Sequence, residues 1–506
     1  MPSATYQGGP ELRIELDNVG GPQRPCHPGD VLTGRITRSL PVVSPRTTIS
    51  LRLLGRAKTK IVVTKSNGQS STRSVYRNRY NFFGTTQIRQ FVHDGPLHIT
   101  ASGGGEPLAW PFAIDVPLHP LPAAVKSEGG APDSCFLSLQ PEDIVSAPLP
   151  GSFYASGRQR NARFETYIEY HLEADLLDSG SHGKAVTAVL PIQMRARPSM
   201  PYPLADFDLQ RRVLQGQVNT YHLVPGMENA ELSFKQKTKQ VLGSRKVPVF
   251  GFSVQVECPA VIQLGNPTPI PFTMRVVPDR NRTSQVIQDV AQTVVLKSLE
   301  LVLKAHTATV APTTFGTKQA EDTLKHNMCL PVVGLGKAIN PPSDHDPLAG
   351  DGGESSSAAA PPLQQKPFGL VLPSRWEVGK EAALDIGTAM DLRLFSTHAT
   401  ALGQPIARTS SGSPIHPAFT TYCIRHSATL KWKAEIEVVG QTEKFEAQQA
   451  VTIVGPSESG TRSVAAARST VKSEQLPSYG ENQSSNLPGT SGVGDTRVEE
   501  LPVYTK

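Results

Sequence analysis

Apolar and polar residues alternate with a period of two along most of this chain. Leu12, Ile14 and Leu16 alternate with Arg13 and Glu15, and Ile49, Leu51 and Leu53 repeat the pattern. The longest run is Phe164, Thr166, Ile168, Tyr170, Leu172, Ala174 and Leu176. Between these fall Glu165, Tyr167, Glu169, His171, Glu173 and Asp175. A strand sends successive side chains to opposite faces, so this run predicts a strand with one dry and one wet face. A helix would spread the same carboxylates around its circumference. The second half continues the theme with Phe252, Val254, Val256 and Cys258, then Leu299, Leu301, Leu303 and Ala305. Leu430, Trp432, Ala434, Ile436 and Val438 alternate with Lys431, Lys433, Glu435 and Glu437. Prolines and glycines punctuate the runs. One-faced antiparallel strands at short intervals predict sandwiches, in which two sheets bury their inner faces against each other.

Composition divides the 506 residues further. Such a length has room for two to four domains with separate cores. Proline (44) and glycine (42) are frequent and aromatics are 6%, which favours turn-rich β-structure with unstructured linkers over helical bundles. Three stretches are expected to lack regular structure. Residues 121–133 are rich in proline, alanine and glycine, and residues 338–366 carry a Gly, Ser and Ala run with two Pro-Pro pairs. From about Gly455 to Lys506 the chain is mostly Ser, Gly, Pro and charge. The 338–366 segment cannot be expected to bury enough apolar surface to offset its ordering entropy, and the tail has a similarly disordered composition. The expected organisation is therefore a domain at 1–205, a second at 206–455 with an inserted loop around 338–366, and a disordered tail at 456–506.

A net charge of +6 over this length is mild. It permits contact with acidic peptides or anionic lipid without demanding nucleic acid. Cys26, Cys135, Cys258, Cys329 and Cys423 are odd in number and widely spaced, with no CxxC. That suggests unpaired thiols in a reducing compartment. The start, Met1-Pro2-Ser3-Ala4, does not read as a signal peptide, and no apolar run is long enough for a membrane span. The expected location is cytoplasmic, with peripheral recruitment to a membrane.

Several motifs, in order, carry a resemblance. Leu12–Asp17 is followed by Pro28-Gly29-Asp30-Val31-Leu32-Thr33-Gly34, then by Leu51-Arg52-Leu53-Leu54-Gly55. Tyr170–Leu176 precedes Leu190-Pro191-Ile192, and Pro417-Ala418-Phe419-Thr420-Thr421-Tyr422-Cys423-Ile424 leads into Leu430–Val438 and Phe445. In patches over residues 10–455, this series resembles the arrestin-like proteins, and the fungal α-arrestins (arrestin-related trafficking adaptors) in particular. The resemblance implies an all-β fold of two tandem arrestin-like, immunoglobulin-type β-sandwiches. An unrelated pair of immunoglobulin-like domains is the competing architecture.

The tail holds Leu476-Pro477-Ser478-Tyr479 and Leu501-Pro502-Val503-Tyr504. Proline presets an extended polyproline shape that WW domains clamp between aromatic rings, with the tyrosine in a second pocket. Leu476, Pro477, Tyr479, Leu501, Pro502 and Tyr504 are thus candidate WW-domain contacts, and two motifs in one tail can gain avidity. With the family resemblance, they imply an adaptor that brings a WW-domain HECT-type E3 ubiquitin ligase to the cytosolic tails of membrane transporters or receptors. Ubiquitination and endocytosis of that cargo would follow, at the plasma membrane or endosomes. The alternative is an arrestin-like signalling or vesicle-sorting scaffold that does not depend on ligase recruitment.

Arg56, Lys58, Lys60, Lys65, Arg73, Arg77 and Arg79 crowd one stretch, interleaved with Tyr76, Tyr80, Phe82 and Phe83. They form a candidate contact for cargo or anionic lipid. An edge strand guarded by charge against aggregation explains them equally well. No nucleic-acid module frames them. Enzyme motifs are incomplete. Gly334-Leu335-Gly336-Lys337 is followed by Ala338 where a P-loop needs Ser or Thr, and no HExxH occurs. The row Glu165, Glu169, Glu173 and Asp175 is expected to be a solvated strand face. No catalytic residue, metal site or cofactor is assigned.

Overall fold

A computed structural model of the chain describes residues 12–17, 24–66, 70–84, 86–99, 107–127, 134–178, 185–330, 370–371, 383–406 and 414–458. The strands of the first half are β1 (Arg13–Leu16), β2 (Val31–Arg38), β3 (Val42–Ser66), β4 (Ser71–Phe83), β5 (Arg89–Ile99), β6 (Leu108–Asp115), β7 (Phe153–Gln159), β8 (Ala162–Asp178) and β9 (Ala185–Ile192). One sheet runs β4-β3-β8-β7, with β5 beside β3 and β9 beside β8, and the other runs β1-β2-β6. The alternating residues face inward as expected. Ile49, Leu51 and Leu53 of β3 and Ile168, Leu172 and Ala174 of β8 meet Ile14, Leu32, Ile36, Phe112 and Ile114 of the smaller sheet. This is a sandwich core.

The turn before β2 shows how local sequence sets the chain path. The Asp30 N–H donates to the His27 carbonyl at 3.1 Å, closing a turn over Pro28 and Gly29. Gly29 has φ +85°, the left-handed value that a type II turn requires at this position. The Asp30 carboxylate then accepts from the His27 N–H at 2.8 Å.

The second half adds β10 (Leu209–Asn219), β11 (Val249–Pro259), β12 (Val261–Leu264), β13 (Thr273–Pro278), β14 (Val294–Thr313) and β15 (Gly316–Leu330). Six short strands follow: β16 (Leu370–Val371), β17 (Leu384–Asp385), β18 (Arg393–Leu394), β19 (Ala399–Ala401), β20 (Gln404–Pro405) and β21 (Phe419–Thr420). The long hairpin of β22 (Ile424–Val438) and β23 (Gln441–Pro456) completes the second half. Sheet β10-β11-β13-β17 faces the larger sheet β12-β23-β22-β14-β15 across a core that includes Phe252, Val256, Met274, Leu301, Trp432 and Ile436. The fold is all-β, with sandwich packing in each half. Among the described residues the α-helices are short: α1 (Pro122–Ser127), α2 (Pro141–Ser146), α3 (Phe234–Val241) and α4 (Ile386–Ala389). No described helix is long and apolar enough to cross a membrane.

Two expectations need correction. Residues 122–127 form α1, whose Ala124 and Val125 are fully buried, so the structureless reading of 121–133 fails there. Proline at the first helical position and small residues after it suit a one-turn helix. At the other end, β23 continues through Pro456, and Ser457 bridges to Ser199, so regular structure reaches slightly into the expected tail. The insertion at 338–366 and both LPxY motifs lie outside the described residues.

The two cores are not independent. The first is completed by Val310, Tyr422, Cys423 and Ile424 from the second half of the chain. A smaller cluster joins Ile61, Val63, Ala162 and Phe164 to Ala311 and Ala320. The Asn78 side-chain amide donates to the carbonyls of Ser134 and Val310, both at 3.1 Å. The Phe136 N–H donates to the Tyr422 carbonyl at 2.8 Å, and the Tyr80 and Tyr422 rings lie 5.0 Å apart.

Candidate functional site

The basic stretch and the carboxylate row, separate features in the sequence, form one surface. Register pairs Arg56 with Glu169 and Lys60 with Glu165 across β3 and β8. On the other side of β3, Lys58 is opposite Arg79 and Lys60 is opposite Arg77. Residues directly opposite in an antiparallel pair share a face. Arg158 of β7 is opposite Arg163 of β8, and the β7–β8 register places Ser156 against Glu165, so both arginines join the same face. Cations therefore outnumber Glu165 and Glu169 across four adjacent strands. Arg158 and Arg163 were not singled out from the sequence. Their signal was the same-face alternation with Glu165 on either side of a tight turn.

The ion pairs are local. Glu169 holds the Arg56 guanidinium and, at 3.1 Å, the Lys58 ammonium, while Lys60 sits 3.9 Å from Glu165. Burial lowers the Lys58 pKa, Glu169 works against that, and neighbouring Arg56 and Arg79 push it further down. Burial works to raise the Glu169 pKa, but Arg56 and Lys58 hold it below its ordinary value. Lys58 also lies over the Tyr167 ring, 5.4 Å from its centre. Arg79 donates to the Asn81 side chain at 3.2 Å. Among the described residues, Arg73, Arg77, Arg158 and Arg163 of this face have no carboxylate partner, and neither has Lys65, which alternation places on the opposite face of β3 with Ile61 and Val63. All five are exposed. Such a face can hold an extended acidic or phosphorylated segment through charge-assisted hydrogen bonds. Of the interleaved aromatics, Tyr80, Phe82 and Phe83 are buried in the core and only Tyr76 is partly exposed. On the basic face itself the accessible rings are Tyr167, beside Lys58, and Tyr154 opposite it.

Farther along the same ladder the carboxylates are no longer outnumbered. Arg52 pairs with Glu173 and, at 3.0 Å, with Asp175. The hydrogen bond from His171, joined by Arg52 and opposed by burial, brings the Glu173 pKa down to about 2. The predicted wet face is thus more enclosed than expected, since His171 and Asp175 are buried.

A second polar concentration lies at the seam between the sandwiches. The Phe153 ring meets His416 and Phe419 edge-on at 4.9 Å and His426 at 5.0 Å. His426 stacks on Phe419 and shares a 3.0 Å hydrogen bond with the Thr307 hydroxyl. His326 is fully buried, and neither ring nitrogen has a hydrogen-bond partner. Burial is the main cause of depressed pKa values here. His426 falls to about 3, helped by His416, His306 and His326, and His416 falls to about 4, helped by Arg195 and His326. These histidines are neutral at physiological pH. The sequence could not group them, because they come from β15, β22 and the segment before β21.

Other features offer less. A cavity of about 20 Å3 in the second core is lined by Pro259, Ile262, Phe272, Leu301, Met328 and Leu430 among others, room for about one water and apolar throughout. Cys26, Cys258 and Cys423 are buried, which pushes each thiol up to about 12 and leaves it a poor nucleophile. The six candidate WW-domain contacts, Leu476, Pro477, Tyr479, Leu501, Pro502 and Tyr504, lie outside the described residues. No family model matches the chain, and no curated protein matches it either.

Proposed function

We propose that this chain is an arrestin-related adaptor that links a WW-domain HECT-type ubiquitin ligase to membrane cargo. The observation that carries the reading is the pair of LPxY motifs, Leu476–Tyr479 and Leu501–Tyr504, in a tail with no other aromatic residue after Gly455. A stretch of Ser, Gly, Pro and charge offers few apolar residues for a tyrosine placed three residues after each leucine to pack against. Two-sandwich all-β architecture is compatible with the resemblance carried by the motifs at 28–34, 170–176 and 417–424. The basic face of β4-β3-β8-β7 supplies a surface of suitable charge for an acidic or phosphorylated cargo tail. On this reading the protein has two binding jobs and no chemistry of its own: the sandwiches choose cargo and the tail chooses ligase.

The test is binding of the full chain to a panel of WW domains, beside a Tyr479→Ala, Tyr504→Ala control. Micromolar binding that disappears in the control is the expected result. Binding unchanged by the double substitution, or absent from the wild type, overturns the ligase link.

A further inference from the structure

Helix α3 is amphipathic in the wrong sense for a soluble protein. Phe234, Val241 and the following Leu242 fall on one side at helical spacing, with Thr238 between them. That side faces solvent: Phe234 is 87% exposed, Val241 85% and Leu242 76%. No residue of the helix is buried. Its polar side points home instead, where the Thr220 hydroxyl donates to the Gln240 side chain at 3.3 Å. A capping box fixes the start: Ser233 accepts from the Gln236 N–H, and the Gln236 side chain accepts from the Ser233 N–H at 2.8 Å. The helix is held in place by capping and one polar anchor while its apolar stripe stays uncovered.

Charge says what covers it. Lys235 and Lys237 flank the apolar stripe on either side at 100° per residue, and Lys239, Arg245 and Lys246 follow. No acidic residue occurs between Glu231 and Glu257. Among the described residues none of these five cations takes part in an ion pair. An apolar stripe edged by lysines is the arrangement of a helix lying in the plane of an anionic bilayer: apolar side chains enter the acyl boundary and ammonium groups reach the headgroups. A second exposed side chain is nearby. Val286 is 73% exposed, and Ser284, two residues before it, donates its N–H to the carbonyl of Val249, where the chain returns from α3 into β11. Topology puts this surface away from the seam. Asn219 and Val249 pair at the α3 end of β10 and β11, and β14 begins at that end beside Val438 and reaches the first sandwich only near Val310.

We infer that α3 and its basic flank dock this protein on anionic lipid membranes, with Phe234, Val241 and Leu242 inserting. The inference does not rest on the tail motifs, so it can fail or hold independently of the ligase reading. So short a helix gives weak, reversible binding, suited to acting with a second contact on the same membrane. Each cation near an anionic surface strengthens binding by roughly fivefold.

The experiment is flotation of the full chain with phosphatidylcholine vesicles, with and without phosphatidylserine. Binding is expected on the serine-lipid vesicles, falling with salt. Phe234→Ser, Val241→Ser, Leu242→Ser together, all on exposed positions, are expected to reduce it about tenfold or more. Lys235→Gln, Lys237→Gln, Lys239→Gln together are expected to reduce it by up to about a hundredfold on serine-lipid vesicles. Wild type that fails to float, floats equally without phosphatidylserine, or floats no better than the serine variant overturns the inference. A wild-type dimer abolished by the serine variant would assign the stripe to a second copy of the chain and overturn it as well. Thermal melts matching wild type confirm that each variant is folded.

Discussion

Acidification is expected to loosen the seam between the sandwiches, and replacing His416 with Gln and His426 with Asn is expected to remove most of that sensitivity. The sign follows from the depressed folded pKa values. A histidine near 6.5 when unfolded and near 4 (His416) or 3 (His426) when folded stabilises the fold fully above pH 6.5. That contribution is lost as pH falls from 6.5 towards the folded values. By about pH 5.0 the unfolded imidazoles have bound their protons and the folded ones have not, which costs about 2 kcal/mol per site and about 4 kcal/mol for the two together. Phe153, Phe419 and the neighbouring His306 and His326 give a new charge no compensation, and Arg195 opposes it. Asn at position 426 keeps a polar group for the Thr307 hydroxyl, so the double variant retains its packing at neutral pH. The assay is urea unfolding at about pH 7.5 and 5.0, with tryptophan fluorescence as the probe. Wild type is expected to lose the larger share of its stability between these pH values, with about two more protons taken up on unfolding than in the variant. Equal losses in both proteins would refute the reasoning and show that the seam opens to water before the histidines titrate.

Three further perturbations probe the first sandwich. Lys60→Glu with Arg77→Glu places carboxylates at the centre of the basic face, and affinity for a phosphoserine-rich peptide, read by fluorescence anisotropy, is expected to drop roughly tenfold or more at low salt. Unchanged affinity would remove this face from cargo recognition. Glu173→Gln removes the carboxylate shared by His171 and Arg52, leaving Arg52 only Asp175, and is expected to destabilise by about 1–3 kcal/mol. The wild-type advantage exists above the usual carboxylate pKa of 4.5 and is lost as pH falls towards about 2, so the gap between the two proteins should close across that window. Gly34→Ala puts a Cβ into the Glu15 carbonyl, with the Phe112 ring also inside contact distance, and is expected to cost about 1–3 kcal/mol in a thermal melt. A neutral result would mean that β1 shifts freely on β2.

What the sequence revealed follows from how far each interaction reaches along the chain. Burial of Phe164, Ile168, Tyr170 and Leu172 was legible because strand alternation is local, and so was the Pro28-Gly29 turn, whose φ is set by two residues. Helix α1 escaped notice because Pro122, Ala123 and Ala124 carry the same composition as a linker; only burial of Ala124 and Val125 distinguishes them. Tyr422, Cys423 and Ile424 alternate no differently whichever core receives them, so nothing local could say that they complete the first sandwich. The basic face was half legible. Its cations stood out, but Glu165 and Glu169 lie about a hundred positions away, and only the β3–β8 register brings them together. The β7–β8 register adds Arg158 beside Arg163 and so decides the sign of the whole surface. Had β8 slipped by one residue, Phe164 and Ile168 would face water and the carboxylates the core. Burial of the apolar row therefore fixes where the charges meet, and the basic face is a consequence of the packing behind it.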